Sequence, residues 1–172
     1  DNGSTDGTVE WLRSQADPRL HVVESPVNLG VGGGRTRLIR EMLPHLAPGS
    51  FAVFVDNDME LLAGWHEPFL AVFEAHPEAG IASAVGHRII VREDARDLLP
   101  APSGEPAPVD VASGGFCCWV RTETLRQVGV FDRRLGKFWH EDDDYSVRAI
   151  HRGFEVWAVP EAKVVHHEHG TG

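Results

Sequence analysis

Cysteine is scarce. The 172-residue chain has two, and they are neighbours, Cys117 and Cys118. Adjacent cysteines lie too close along the backbone for a relaxed disulfide. That excludes a disulfide framework, and a CxxC zinc pair is missing too. Long apolar runs are also lacking. Runs such as Phe51–Val55 are strand-sized, far short of the ~20 residues that span a bilayer. Basic charge is in deficit: 16 Lys and Arg face 26 Asp and Glu, a formal charge of −10. A duplex-binding face needs the opposite balance, so nucleic acid is not an expected partner. The chain opens without Met, a signal peptide or a targeting segment, directly on the turn-rich Asp1-Asn-Gly-Ser-Thr-Asp-Gly-Thr8. Domains rarely start in mid-turn, and a piece of a longer protein is expected.

What is present alternates between two periods. Thr5 or Asp6 can cap a first helix with Val9, Leu12 and Ala16 on one face. Leu20–Val23 reads as a strand. The glycine-rich Gly32-Gly-Gly34 reads as a loop before a helix that carries Leu38, Ile39, Met42 and Leu43 and ends at Pro44. Phe51–Val55 reads as a strand buried on both faces. Trp65, Phe69, Val72 and Phe73 recur at helical spacing around an early Pro68. Ile81–Val85, Arg88–Val91, Phe116–Val120, Phe154–Val159 and Lys163–Val165 read as further strands, and Glu123–Val128 as a short helix. A helix opens at Glu141 and closes at Gly153. Asp97–Asp110 holds four of the 11 prolines and reads as a mobile loop. This alternation predicts one α/β domain, 1–172, with a mostly parallel sheet flanked by helices. Trp11, Trp65, Trp119 and Trp157 are expected in or near its core.

In such sheets ligands bind beyond the carboxyl ends of the strands. Asp56-Asn-Asp58 follows the strand at Phe51–Val55. In extended chain, side chains two apart point the same way, so both carboxylates can face one Mg²⁺ or Mn²⁺. Alone, the tripeptide is weak evidence for a metal and reads as an ordinary acidic turn; its place after Phe51–Val55 favours the metal. His166-His-Glu-His169 follows the last strand; one imidazole there can complete coordination begun by the aspartates, hold a separate metal, or simply be solvated. Glu141-Asp-Asp-Asp144 is four acids at a helix start, where the helix dipole offsets part of their repulsion. It can be a solvated face, or it can hold a general base near a substrate hydroxyl. Trp139 and His140 precede it as a possible wall and polar contact. Asn28-Leu-Gly-Val-Gly-Gly-Gly-Arg35 matches neither a Walker A loop nor GxGxxG. Its amides can still cradle phosphate, and Arg35, read as one residue into the helix, can pair with a diphosphate.

Taken in order, DNGSTDGT, NLGVGGGRT, VFVDNDMEL, ASGGFCCWVR, VGVFDRRLGKFWHEDDDYSVRAIHRGFEV and PEAKVVHHEHG resemble the family 2 glycosyltransferases, rhamnosyltransferase-like members among them. The resemblance runs from Asp1 to about Gly170. It implies a GT-A fold and an inverting enzyme that moves sugar from a nucleoside diphosphate. Asp1 and Asn2 match the turn that touches base or ribose, and Arg35 a position near the phosphates. Asp56 and Asp58 match the DxD pair that holds Mg²⁺ or Mn²⁺, with Asp56 and Asn57 toward the donor. Asp142, preceded by Glu141, matches the proposed catalytic base. His166, then His167, match a late histidine of the metal shell. Gly114, Gly115 and Trp139 fall on the acceptor side. Residues 1–95 thus form the nucleotide-sugar part and 96–172 the acceptor and catalytic part.

The implied partners are a UDP-, dTDP- or GDP-linked sugar and a glycan or glycolipid acceptor in cell-surface polysaccharide synthesis. The implied location is cytoplasmic, at the inner face of the membrane, with peripheral attachment through regions outside this chain. Family members place a strand and helix before the DNGS turn, so a sheet strand is expected to be missing here, and activity of these 172 residues alone is open. The competing readings are a non-catalytic, sugar-binding remnant of the fold and a metal-dependent hydrolase built on the histidines.

Overall fold

A computed structural model describes residues 1–91, 96–101, 104–113, 117–135 and 140–167. The chain divides into two compact units, one of residues 1–45 with 130–141, the other of 46–129 with 142–172.

In the first unit, α1 (Thr8–Ser14) and α2 (Gly30–Met42) are followed by a 3₁₀ turn at Leu43–His45, with a second at Arg133–Leu135. Asp6 accepts hydrogen bonds from the Thr8 amide (3.1 Å) and hydroxyl. Those bonds hold its carboxyl below the usual range. The residue preceding α1 is Gly7, which offers no side-chain cap. α1 buries nothing, and Trp11 is 63% exposed rather than in the core. Its ring lies on an exposed face of the helix, while Val9 and Leu12 are half-buried.

Two expectations fail here for physical reasons. Leu20–Val23 is not a strand. The Asp1 nitrogen donates to the Val23 carbonyl (2.8 Å) and the Ser25 amide to the Asp1 carbonyl (3.0 Å). That is one parallel bridge, and a ladder needs several. The glycines at 32–34 are not a loop. They lie inside α2, although each glycine costs about 1 kcal/mol against alanine in a helix. Close approach explains them: a Cβ on Gly33 would meet Leu29 Cβ at 2.7 Å, and one on Gly34 would meet the Asn2 amide at 3.3 Å.

The second unit is built on a sheet of order β1-β8-β3-β9-β6, with β1 Phe51–Phe54, β3 Ala79–Ser83, β6 Ala107–Val109, β8 Cys118–Arg121 and β9 Glu155–Ala158. The sheet is mixed rather than mostly parallel. β3 and β9 pair in parallel, while β8 lies antiparallel between β1 and β3 and β6 runs antiparallel to β9. Strands β1, β3 and β9 therefore share one direction, with β8 inserted between two of them. The α/β class stands.

Asp97–Asp110 is not one loop. β5 (Arg96–Pro100) pairs with β4 (Gly86–Val91), which also pairs with β7 (Val111–Ala112), and Ala107–Val109 forms β6. Prolines are tolerated because Pro100 ends its strand and Pro108 sits on the sheet's edge strand, where a missing amide donor need not break a ladder. A further two-stranded sheet pairs β2 (Met59–Leu61) with β10 (Val164–His166).

Apolar side chains from α3 (Glu67–Ala75) fill the core against this sheet. Phe69, Val72 and Phe73 are buried with Ala79, Ala82, Cys117, Trp119 and Trp157. Trp119 is central: its ring lies 5.4 Å from Phe69, stacked, and 5.5 Å from both Phe51 and Trp65. Burying each such side chain contributes roughly 1.5–3 kcal/mol. Both cysteines are buried, and burial pushes the Cys117 thiol up to about 11. An inert, protonated sulfur follows. α4 (Thr122–Val128) and α5 (Glu141–Ile150) complete the elements, and Gly153, with φ +87°, turns the chain from α5 into β9.

Candidate functional site

The polar residues singled out in the sequence fall into three local arrangements. The first belongs to the Asp1 turn. The Asp1 carboxylate accepts from the amides of Gly3 (2.9 Å) and Ser4 (3.1 Å). Gly3 has φ +88°, and a Cβ there would meet the backbone of Val27 at 2.7 Å. Only glycine allows that approach. Asn2 is spent on structure: its amide donates to the Gly30 carbonyl (3.0 Å) and its oxygen accepts from the Leu29 amide (3.0 Å). It thus clamps the Asp1 turn to the start of α2. A concavity of about 290 Å³ opens beside Asp1, lined also by Ser4, Thr5, Val9 and Glu24.

Arg35 is placed differently from expectation. The glycines are helical, so Arg35 is in the second turn of α2 and not beside its first amides. It is 7% exposed, with its guanidinium 5.8 Å from the Phe131 ring centre. A buried arginine over an aromatic ring is a packing element first. Arg37, further along α2, is exposed, and it lines a small cavity with Asp1, Asn2 and Gly34. Sequence reading missed it; its position two residues beyond Arg35, on another helix face, was the available signal.

The second arrangement follows β1. Asp56, Asn57 and Asp58 are not extended: the Met59 amide donates to the Asp56 carbonyl (3.2 Å), closing a turn. The two-apart argument for a shared direction therefore does not apply. Asp56 and Asn57 are exposed and Asp58 is half-buried. The chain then enters β2, whose register with β10 sets His166 opposite Met59. His166 Nε2 lies 3.1 Å from an Asp58 oxygen. The next residue, His167, pairs instead with exposed Glu60 at 3.1 Å, while its backbone amide donates to the Asp58 carbonyl (3.0 Å). Consecutive strand residues point to opposite faces, which separates the two imidazoles. No group of three metal-ligating side chains occurs among the described residues. Asp58 and His166 offer one hard oxygen and one imidazole. The carboxylate could hold Mn²⁺ or Mg²⁺, and the imidazole favours the softer Mn²⁺ of the two.

The third arrangement is the start of α5. Asp144 forms an ion pair with Arg148 one turn on (2.8 Å), and Arg148 also donates to the Val128 carbonyl. One acid of the run is thereby structural. The Glu141 stem packs on α2: a Cβ on Gly32 would lie 3.5 Å from Glu141 Cβ. Glu141 and Asp142 are both half-buried. Being consecutive on a helix, they diverge by about 100°. His140, just before α5, has φ +66°, a conformation uncommon outside glycine. Gly114, Gly115 and Trp139, expected at the acceptor, lie outside the described residues.

A family model, Glycosyl transferase family 2, matches residues 1–107, well over half the chain. The chain belongs to glycosyl transferase family 2. This family 2 chain also matches a solved structure whose title reads "Crystal structure of GalNAc-T7 with UDP, GalNAc and Mn2+", with a TM-score of 0.62 at 15% identity. The match covers 84% of this chain and 32% of that one, so the chain spans about a third of that protein's length. At that identity the likeness shows the fold, a GT-A glycosyltransferase fold. No curated protein matches the sequence. No helix among the described residues is long and apolar enough to cross a membrane.

Proposed function

We propose that this family 2 chain carries the centre of an inverting glycosyltransferase. It moves a sugar from a nucleoside-diphosphate donor to a hydroxyl of a glycan or glycolipid. The observation that carries the reading is the Asp58–His166 pair, 108 residues apart in sequence and 3.1 Å apart in the fold, beside the turn at Asp56–Asp58. A divalent cation bound there would neutralise charge growing on the leaving diphosphate. Asp58 and His166 are the side chains proposed to hold it, and Asp56 and Asn57 face the donor. UDP and Mn²⁺ accompany GalNAc-T7 in its solved structure, which makes the same pair the first to try here.

Asp142 is proposed as the base. Its carboxylate takes the proton of the acceptor hydroxyl as that oxygen attacks the anomeric carbon. The bond to the diphosphate oxygen breaks on the opposite face, and the nucleoside diphosphate leaves with the electron pair. One displacement inverts the anomeric centre without a covalent enzyme intermediate. Residues 1–95 then supply the rest of the donor site, and 96–172 supply the acceptor side, the base and His166, at a membrane-facing site of glycan synthesis in the cytoplasm.

Thermal unfolding with UDP, dTDP or GDP, each with Mn²⁺ and then with EDTA, tests the reading. One nucleotide should raise the midpoint only with metal, since a ligand bound to the folded state alone stabilises it. Asp58→Ala and His166→Ala should each remove the shift. A shift that persists in EDTA, or in Asp58→Ala, overturns the metal-assisted donor site.

A further inference from the structure

The basic residues of this acidic protein are not evenly used. Several arginines are committed to acids: Arg13 to Glu24, Arg19 to Asp17, Arg134 to Asp132 and Arg148 to Asp144. Among the arginines with no such partner, three gather in one place. Arg37, Arg40 and Arg133 line one concavity of about 370 Å³ together with Leu29, Gly33, Thr36 and Glu41. All three are exposed. None has a hydrogen bond or ion pair to a carboxylate among the described residues, although Glu41 shares the wall.

Helix geometry builds this hollow. Gly33, Thr36, Arg37 and Arg40 are spaced i, i+3, i+4 and i+7 on α2, so they form one stripe. Gly33 supplies a floor without a side chain, and it must stay glycine because Leu29 occupies the Cβ position at 2.7 Å. Thr36 is held by its hydroxyl to the Phe131 carbonyl at 3.4 Å. Phe131 leads into the 3₁₀ turn that brings Arg133 to the rim. Gly34 and Leu38, which line the small cavity with Asp1 and Asn2, are each one residue on from the stripe. They lie about 100° around the helix from it. Arg37 borders both hollows, while Arg40 and Arg133 belong to this one alone.

Three guanidinium groups against one carboxylate, in a chain of net charge −10, make a local exception to the global field. Planar guanidinium forks match phosphate oxygens bidentately. An extended polyanion would be repelled by the rest of the surface, and a small anion seated in a concavity would not. We propose that the Arg37–Arg40–Arg133 hollow is a second anion site that takes a phosphate or diphosphate group, distinct from the donor site. The group can come from a soluble phosphorylated compound or from a phosphomonoester lipid head group.

Isothermal titration with inorganic pyrophosphate, without nucleotide or divalent metal, tests it. One equivalent should bind at low salt. The Arg40→Ala/Arg133→Ala double variant should lose at least about tenfold in affinity, as expected when charge-assisted hydrogen bonds are removed. The Arg40→Lys/Arg133→Lys variant keeps the charge without the fork and should fall between. Cooperative unfolding of each variant checks that it is folded, and Asp58→Ala should bind pyrophosphate normally. Flotation with vesicles of phosphatidylcholine, with and without phosphatidic acid, separates the sources. Acid-dependent flotation lost in the alanine variant assigns a head group, and pyrophosphate binding without flotation assigns a soluble phosphate. No pyrophosphate binding, or binding that survives the double alanine change and disappears in Asp58→Ala, overturns the proposal. Because no nucleotide is present, failure here leaves the transferase reading standing, and the reverse holds.

Discussion

The two compact units solve the same problem with different materials. In residues 46–129 and 142–172 the core is apolar, with Phe69, Phe73, Trp119 and Trp157 packed over a five-stranded sheet. Among the described residues of 1–45 and 130–141 the buried apolar side chains are Ile39 and Phe131, and Ser25, Arg35 and Thr36 are buried with them. There the order comes from directed bonds, of which the Asn2 clamp on α2 is the clearest, and from glycines that let backbone pass close to side chains. A sheet core is stabilised by area and tolerates small shifts. A hydrogen-bonded clamp contributes less free energy but fixes geometry. The lesson is that the unit carrying the Asp1 turn trades apolar depth for positional control.

That contrast can be broken in three places. The largest effect should come from Trp119→Ala, which empties the centre of the apolar core. A loss of about 3–5 kcal/mol is expected in denaturant unfolding. A loss no larger than that of the clamp variant below would defeat the comparison.

Alkaline pH should act next, again on the apolar unit. The Cys117 thiol titrates at about 11 in the fold against 9.0 ordinarily. Its folded value is raised, so its contribution is complete below pH 9 and is lost as pH climbs toward 11. The loss is roughly 3 kcal/mol at most. Burial raises the Tyr145 hydroxyl as well, which adds to the decline above pH 10. Thermal midpoints followed from pH 8 to pH 10 should fall less in Cys117→Ala than in the unaltered chain. Parallel curves would remove the thiol from the account.

The smallest effect belongs to Asn2→Ala, at about 1–2 kcal/mol. Its signature is local. Hydrogen exchange at the Leu29 amide, which donates to the Asn2 oxygen, should accelerate while β3 and β9 stay protected. Uniform acceleration across the chain would mean that the clamp serves the whole fold and not one unit.

Much of the apolar unit was legible in the sequence. Phe51–Val55 announced β1 by an unbroken apolar run, Pro68 with its spaced aromatics announced α3, and Gly153 marked the end of α5. Trp119 and Trp157 fell in the core as their size suggests, and Trp11 did not, because it lies on an exposed face of α1 while Val9 and Leu12 are half-buried. The polar unit read poorly for a physical reason. Local propensity argues against helix at Gly32–Gly34, yet α2 runs through them, and Leu29 and Asn2 leave little room for a side chain at Gly33 and Gly34. Arg35 then moved from the helix entrance to its second turn. Asp58 and His166 were both visible as candidate ligands, yet their contact depends on the register of β2 with β10. No short-range pattern encodes that register. The gathering of Arg40 with Arg133 has the same origin, a turn 93 positions downstream by the numbering.

Pro108 has a consequence for association. Strand β6 forms one rim of the five-stranded sheet, and its middle residue has no amide hydrogen to offer. A foreign strand laid along that rim would find a gap at the centre of its three-residue template. The proline thus blunts that rim against strand-by-strand polymerisation.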